Sequence, residues 1–184
     1  MIHPRITEIR TFLVGGSERR CNWLIVKVET DVGIHGIGEA TLEGRSKTVE
    51  TAVHEQSRYL IGQDAFAIER HYQELYRRAY YAGGEVQMSA LSGLEMALWD
   101  IKGKALGVPV YELLGGRTRD RIQLYANAWY QQGMSPEQFA TAAREVVDLG
   151  VKGLKFNPWG RRPGIDFYRL DEPVLNLGVD AVAA

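Results

Sequence analysis

Near residue 117 the strand pattern of this chain changes, and that change limits its possible folds more than any other feature. Before it, the first forty residues read as an antiparallel meander. Leu24, Val26 and Val28 alternate with Ile25, Lys27 and Glu29, the period of a half-buried strand. Thr30-Asp31-Val32-Gly33 supplies turn chemistry, Gly33 to Ala40 returns as a strand, and residues 5 to 14 precede them with the same alternation. After the change, Arg117-Thr118-Arg119-Asp120-Arg121 is a polar linker. Ile122 to about Ala128 then reads as one strand and Gly153 to Asn157 as the next. Between them Ser135-Pro136-Glu137-Gln138 is a helix start: serine caps, proline takes the first helical position, and glutamine completes a capping box. Phe139, Ala142, Ala143, Val146 and Val147 form a stripe predicted to be buried, and Gly150 ends the helix. Strand, helix, strand at this spacing predicts a βαβ unit of a parallel sheet.

The stretch between the meander and the linker is helical. Val49, Ala52, Val53, Gln56 and Leu60 recur at helical spacing before Gly62. Asp64 is placed to cap a second helix, with Ile68, Tyr72, Leu75 and Tyr76 along its stripe. A loop of two tyrosines and two glycines, residues 78 to 84, leads into a longer helix from about Val86 to Leu106. Its stripe is Met88, Leu91, Leu94, Leu98 and Ile101, and Gly107 and Pro109 stop it.

That longer helix carries a run that can be placed in a family. Ala90-Leu91-Ser92-Gly93-Leu94-Glu95-Met96-Ala97-Leu98-Trp99-Asp100-Ile101-Lys102-Gly103-Lys104, continuing to Pro109-Val110-Tyr111-Glu112-Leu113-Leu114-Gly115, resembles the mandelate racemase/muconate lactonizing group of the enolase superfamily over its full length. Gly38-Glu39-Ala40, Leu42-Glu43-Gly44-Arg45, Thr48-Val49-Glu50, Ala52-Val53-His54-Glu55 and Tyr59-Leu60-Ile61-Gly62-Gln63-Asp64 look like the capping domain of its galactonate dehydratase-like branch. The resemblance implies an α+β capping domain over residues 1–117, a three-stranded antiparallel meander plus helices. Residues 118–184 would then be the first βαβ units of an incomplete (β/α) TIM-type barrel. In such barrels the chemistry sits at the C-terminal ends of the strands. The motif residues are structural, so they identify a fold before they identify a reaction.

Lys155-Phe156-Asn157 falls at one of those strand ends. Alternation puts Lys155 and Asn157 on one face and Leu154 and Phe156 on the other, so the apolar pair is expected under the barrel helices and the polar pair toward the mouth. The family often has lysine-x-lysine here, the first lysine stabilising the substrate carboxylate and its enolate and the second serving as a base. Asn157 has no proton to exchange near neutral pH, so a base on this face is not expected, while Lys155 can still stabilise developing negative charge. Lysine-x-asparagine resembles the galactonate dehydratases and implies β-elimination of water from a sugar acid to a 2-keto-3-deoxy product. A two-base racemase would need a base on each face of the α-carbon. A racemase or cycloisomerase of the same family stays as the alternative, and a non-catalytic capping or interaction module as another. Read without the family, Lys155 is equally a solvated strand-end lysine.

Arg45 follows Gly44 in a loop that the resemblance sets near the mouth, where a guanidinium could contact a carboxylate or hydroxyls; a surface arginine is the other reading. Tyr81, with Tyr80, is read either as a pocket residue that binds substrate or as packing between cap and barrel. The loop from Val14 to Asn22 corresponds to a specificity loop of the family, though its Glu18, Arg19 and Arg20 are equally a solvated charge run. His3, His35, His54 and His71 have no metal-ligand spacing, and Asp171 and Glu172 before Pro173 read as a helix start.

The resemblance implies Mg²⁺, held by acidic residues at the ends of the third, fourth and fifth barrel strands, and a histidine–aspartate dyad from later ones. The 184 residues contain no metal ligand on this reading, so the chain alone is expected to be inactive, a fragment or an interrupted frame of a protein of about 380 residues, one cap plus a barrel of about 250. Composition excludes other classes. Hydrophobic residues at 45% and charged residues at 24% fit a soluble globular protein, and a formal charge of −1 gives no footprint for nucleic acid or a membrane surface. No apolar run approaches the roughly 18 residues of a spanning helix, and the start lacks a signal-peptide core. One cysteine, Cys21, excludes an internal disulfide and fits a cytoplasmic protein. The expected partner is a small-molecule sugar acid, within a homo-oligomer of the full-length protein.

Overall fold

The computed structural model describes residues 3–15, 22–78, 80–130 and 135–156. These fall into two compact units, one reaching Gly116 and the other starting at Arg117. In the first, β1 (Ile6–Gly15), β2 (Asn22–Thr30) and β3 (His35–Glu39) form an antiparallel sheet in the order β1-β2-β3. The register pairs Ile9 with Val28, Leu13 with Leu24, and Val26 with Gly38. Period-two alternation therefore gathers Ile9, Leu13, Leu24, Val26 and Val28 into the buried core. The β1–β2 ladder runs out to Gly15 and Asn22. The loop expected from Val14 to Asn22 is shorter at both ends, because cross-strand hydrogen bonding claims its flanks; Glu18, Arg19, Arg20 and Cys21 lie outside the described residues.

Four helices follow: α1 (Ser46–Ser57), α2 (Ile68–Arg78), α3 (Glu85–Leu106) and the short α4 (Val110–Leu113). The predicted stripes are the buried faces, Val49, Ala52 and Val53 from α1 and Leu91, Leu94, Leu98 and Ile101 from α3. Each of the valine, leucine and isoleucine side chains contributes about 1.5–3 kcal/mol on removal from water. Met88 on α3 and Tyr72 on α2 are only half-buried, and Tyr76, also expected on the α2 stripe, is exposed at the far end of that helix. Gly107, in the left-handed region, ends α3 as expected, its N–H reaching Gly103 O and Lys104 O. Asp64 is not the cap of α2. Its Oδ1 accepts the Phe66 N–H at 2.8 Å, which closes a turn ahead of Ile68.

The contact that organises this unit is α3 on β3. A Cβ at Gly38 would lie 1.9 Å from Gly93 O, and one at Gly36 would lie 1.9 Å from Ala97 O, so helix and strand meet backbone to backbone. The same helix covers the sheet edge. Asp100 Oδ2 accepts the Ile37 N–H at 2.9 Å, and Lys104 Nζ donates to His35 O at 2.9 Å and to Asp100 at 2.7 Å. Edge groups satisfied in this way are not free to template another strand.

Two carboxylates make the unit acid-sensitive. Burial pushes the Glu29 carboxyl up, but hydrogen bonds and charge from Arg10, at 2.7 Å, and Lys27, at 3.2 Å, outweigh it and leave Glu29 below its ordinary value. Burial likewise raises Asp64, while the Phe66 N–H and His3, 2.7 Å away, bring it below. A depressed carboxyl contributes stability that is complete above its unfolded pKa, near about 4, and is lost as pH falls through the folded one. The thermal midpoint should thus hold steady above about pH 5 and drop below about pH 4. A midpoint that stays flat under circular dichroism down to pH of about 3 contradicts these assignments.

The second unit holds α5 (Pro136–Asp148), and its start is as the sequence predicts. The Gln138 N–H donates to Ser135 Oγ at 3.3 Å and the Ser135 N–H to Gln138 Oε1 at 2.8 Å. Among the described residues, the two predicted strands, 122–128 and 153–157, are not formed as strands. They reduce to one parallel bridge, Ala126 to Leu154. Nor is the α5 stripe buried: Phe139, Ala142, Ala143 and Val146 are half-buried and Val147 is 54% exposed. The physical reason is lack of cover. A parallel strand is stable when both faces and both edges are packed, and among the described residues Ile122 and Leu124 remain 79% and 74% exposed.

Candidate functional site

The Ala126–Leu154 bridge brings together the ends of two segments. The Ala126 N–H donates to Gly153 O at 2.9 Å, and the Lys155 N–H donates to Ala126 O at 2.9 Å. A regular parallel ladder would continue with the Ala128 N–H on Lys155 O. It does not, because Ala128 has φ +57° and its N–H turns back to Asn127 Oδ1 at 3.0 Å. Trp129 takes that place, its indole Nε1–H donating to Lys155 O at 2.9 Å. Both backbone polar groups of Lys155 are thereby held.

The neighbouring side chain defines the two faces here. The Phe156 ring lies 5.4 Å from Phe139 of α5 and 6.2 Å from Trp129, in an edge-to-face cluster completed by Tyr130. Phe156 is thus on the helix side, and Lys155, its neighbour in an extended segment, lies on the other face with its side chain exposed. Asn157, the predicted companion of Lys155, lies outside the described residues. Trp129 and the left-handed Ala128 have no signature in hydrophobic periodicity; the signal was the Asn127-Ala128 pair, since asparagine commonly bends the chain at a strand end.

The other two predicted site residues belong to the first unit. Arg45 precedes α1, with no side-chain cap on its N-terminus; its side chain is exposed, and Nη1 donates to Gly44 O at 3.4 Å. Tyr81 is 84% exposed before α3 and packs edge-on against Tyr80 at 5.1 Å. Among the described residues, no hydrogen bond or ring contact joins Arg45 to Tyr81. An open groove of about 540 Å³ lies elsewhere on this unit, between Ile37, Met96, Trp99, Val110 and Leu114. Neither Arg45 nor Tyr81 lines it.

Three of the four histidines, His3, His54 and His71, have structural partners for their rings. His71 is buried and donates from Nε2 to Asp64 O at 2.7 Å, His3 pairs with the Asp64 carboxylate, and His54 Nε2 lies 2.9 Å from Thr11 Oγ1. Among the described residues no three His, Cys, Asp or Glu side chains converge as a metal site, so these residues do not fit Mg²⁺. Among them also, no helix is long and apolar enough to cross a membrane.

Comparison with known proteins places this geometry. Residues 7–115 match the N-terminal domain of mandelate racemase/muconate lactonizing enzymes. A D-galactonate dehydratase of Pectobacterium atrosepticum is 46% identical over 153 residues, 83% of this chain and 38% of that protein. One from Xanthomonas campestris pv. campestris is 49% identical over 135 residues, 73% of this chain and 35% of its own length. The chain therefore spans well under half the length of the relatives it matches. Among solved structures, an enolase from Pantoea ananatis with bound D-gluconate and Mg is 38% identical with a TM-score of 0.75, over 82% of this chain and 36% of that one. An enolase-superfamily member from Salmonella Typhimurium is 31% identical with a TM-score of 0.76, over 84% and 42%. With a family match over more than half its length and the three-stranded sheet and helices of the capping domain, this chain belongs to the mandelate racemase/muconate lactonizing enzyme family of the enolase superfamily.

Proposed function

We propose that the full-length protein carrying this chain dehydrates a sugar acid, D-galactonate first among candidates. On this reading residues 1–117 are the cap and 118–184 the opening units of a (β/α) barrel. The observation that carries it is 46% identity to a D-galactonate dehydratase across 153 residues. D-gluconate is the second candidate, favoured by its presence in the Pantoea structure.

In the reaction the proton on C2 is removed, hydroxide leaves C3, and the resulting enol tautomerises to the 2-keto-3-deoxy acid. Negative charge accumulates on the carboxylate as C2 loses its proton. Lys155, its backbone held beside the Ala126–Leu154 bridge and its side chain exposed, is the cation assigned to that charge. Asn157 serves as a hydrogen-bond donor and not as a base. Arg45 and Tyr81, both exposed on the cap, are the proposed contacts to substrate hydroxyls. Magnesium is the proposed cofactor of the full-length protein, with ligands beyond the described residues. The cytoplasm and a homo-oligomeric state complete the proposal.

The test is product formation by a full-length protein that carries this chain, supplied with Mg²⁺ and a panel of sugar acids. A 2-keto-3-deoxy acid from D-galactonate or D-gluconate is the expected product. Inversion at C2 without loss of water would replace dehydration with racemisation.

A further inference from the structure

We propose that Trp129 is a positioning residue for Lys155, acting through the backbone carbonyl that its indole holds. The inference rests on the assignment of Lys155 above and adds to it the device that fixes the lysine. The ladder between the two segments stops one step early, since the Ala128 N–H is diverted to Asn127 Oδ1 and Ala128 takes φ +57°. A left-handed non-glycine residue carries a backbone cost and persists where its surroundings fix it. Without another donor the Lys155 carbonyl would end the ladder unpaired. The Trp129 indole supplies that donor at 2.9 Å, and the ring is wedged 4.7 Å from Phe139 and 6.2 Å from Phe156. Where the bend ends the ladder, the indole bond is what holds the Lys155 carbonyl. A lysine reaches its target through four rotatable bonds, so a fixed Cα narrows where its ammonium can go.

The test uses Trp129→Phe, which keeps an aromatic ring and removes the N–H. In the 184-residue chain, hydrogen exchange at the Lys155 amide should accelerate about tenfold, because the last ladder bond frays. In a full-length protein carrying this chain, kcat should fall about tenfold with KM within about twofold, the pattern of an interaction stronger in the transition state. Phe139→Leu is the control: it loosens the same aromatic cluster and leaves the indole donor in place, so it should lower stability and leave kcat unchanged. An unchanged kcat in Trp129→Phe, or an equal loss of kcat in Phe139→Leu, overturns positioning by Trp129. Lys155→Met separates the two levels. If it is inactive while Trp129→Phe is silent, only the positioning role falls; if Lys155→Met is fully active, the assignment of Lys155 falls and takes this proposal with it.

Discussion

Gly38→Ala is expected to destabilise the first unit by about 3 kcal/mol or more, a large share of the roughly 5–15 kcal/mol that holds a domain of this kind together. The added Cβ would stand 1.9 Å from Gly93 O, 2.9 Å from Gly93 C and 3.1 Å from Ala97 N, all main-chain atoms of α3. No rotamer change relieves a clash with backbone, so the helix must move off the strand. It is not free to move. Leu91, Leu94, Leu98 and Ile101 anchor it in the core, and Asp100 holds the Ile37 N–H. Gly33→Ala provides the comparison, since Gly33 has φ +77° and nothing within 4 Å of its added carbon. Its cost should be only the left-handed penalty of about 1–2 kcal/mol. Urea unfolding of both variants, followed by circular dichroism, ranks them. Equal midpoints would mean that α3 is not seated on β3 through glycine.

The sheet, its turn and the long helix were legible because local pattern and tertiary packing agree there. Leu24, Val26 and Val28 are buried at period two, and the α3 stripe is buried at helical period, since sheet and helices supply one another's cover. The role of Gly36 and Gly38 was less visible, because close approach is a relation between two elements and glycine alone reads as flexibility. Asp64 looked like a helix cap, but its carboxylate is occupied by the Phe66 N–H and His3. In the second unit the capping box was readable, being local. The strands predicted there reduce to a single bridge, because a parallel ladder depends on neighbours that the pattern of one segment cannot supply. Lys155 is singled out by its place in a motif, whereas the Trp129 indole bond is hidden: a side-chain donor replacing a ladder bond leaves no periodic trace.

Lys155→Met carries the second large effect. The substitution keeps an unbranched side chain of similar length and removes only the ammonium, so the aromatic cluster on the opposite face is spared. The Lys155 backbone bonds to Ala126 O and from Trp129 Nε1 do not involve the side chain and should persist. On the proposed reaction, what is lost is a positive charge assigned to a carboxylate that gains negative charge as C2 is deprotonated. Removing one preorganised stabiliser of such charge costs about 100- to 1,000-fold in kcat, or roughly 2.7–4 kcal/mol. Arginine keeps the charge but not its compact geometry, so Lys155→Arg should recover only part of the rate.

The most direct measurement is therefore the single-turnover rate of D-galactonate dehydration by a full-length protein carrying this chain, wild type against Lys155→Met, at saturating Mg²⁺. The account predicts a loss of about 100-fold or more with the thermal midpoint unchanged. A variant that dehydrates D-galactonate at the wild-type rate would contradict it, and Lys155 would be left as a solvated lysine beside the Ala126–Leu154 bridge.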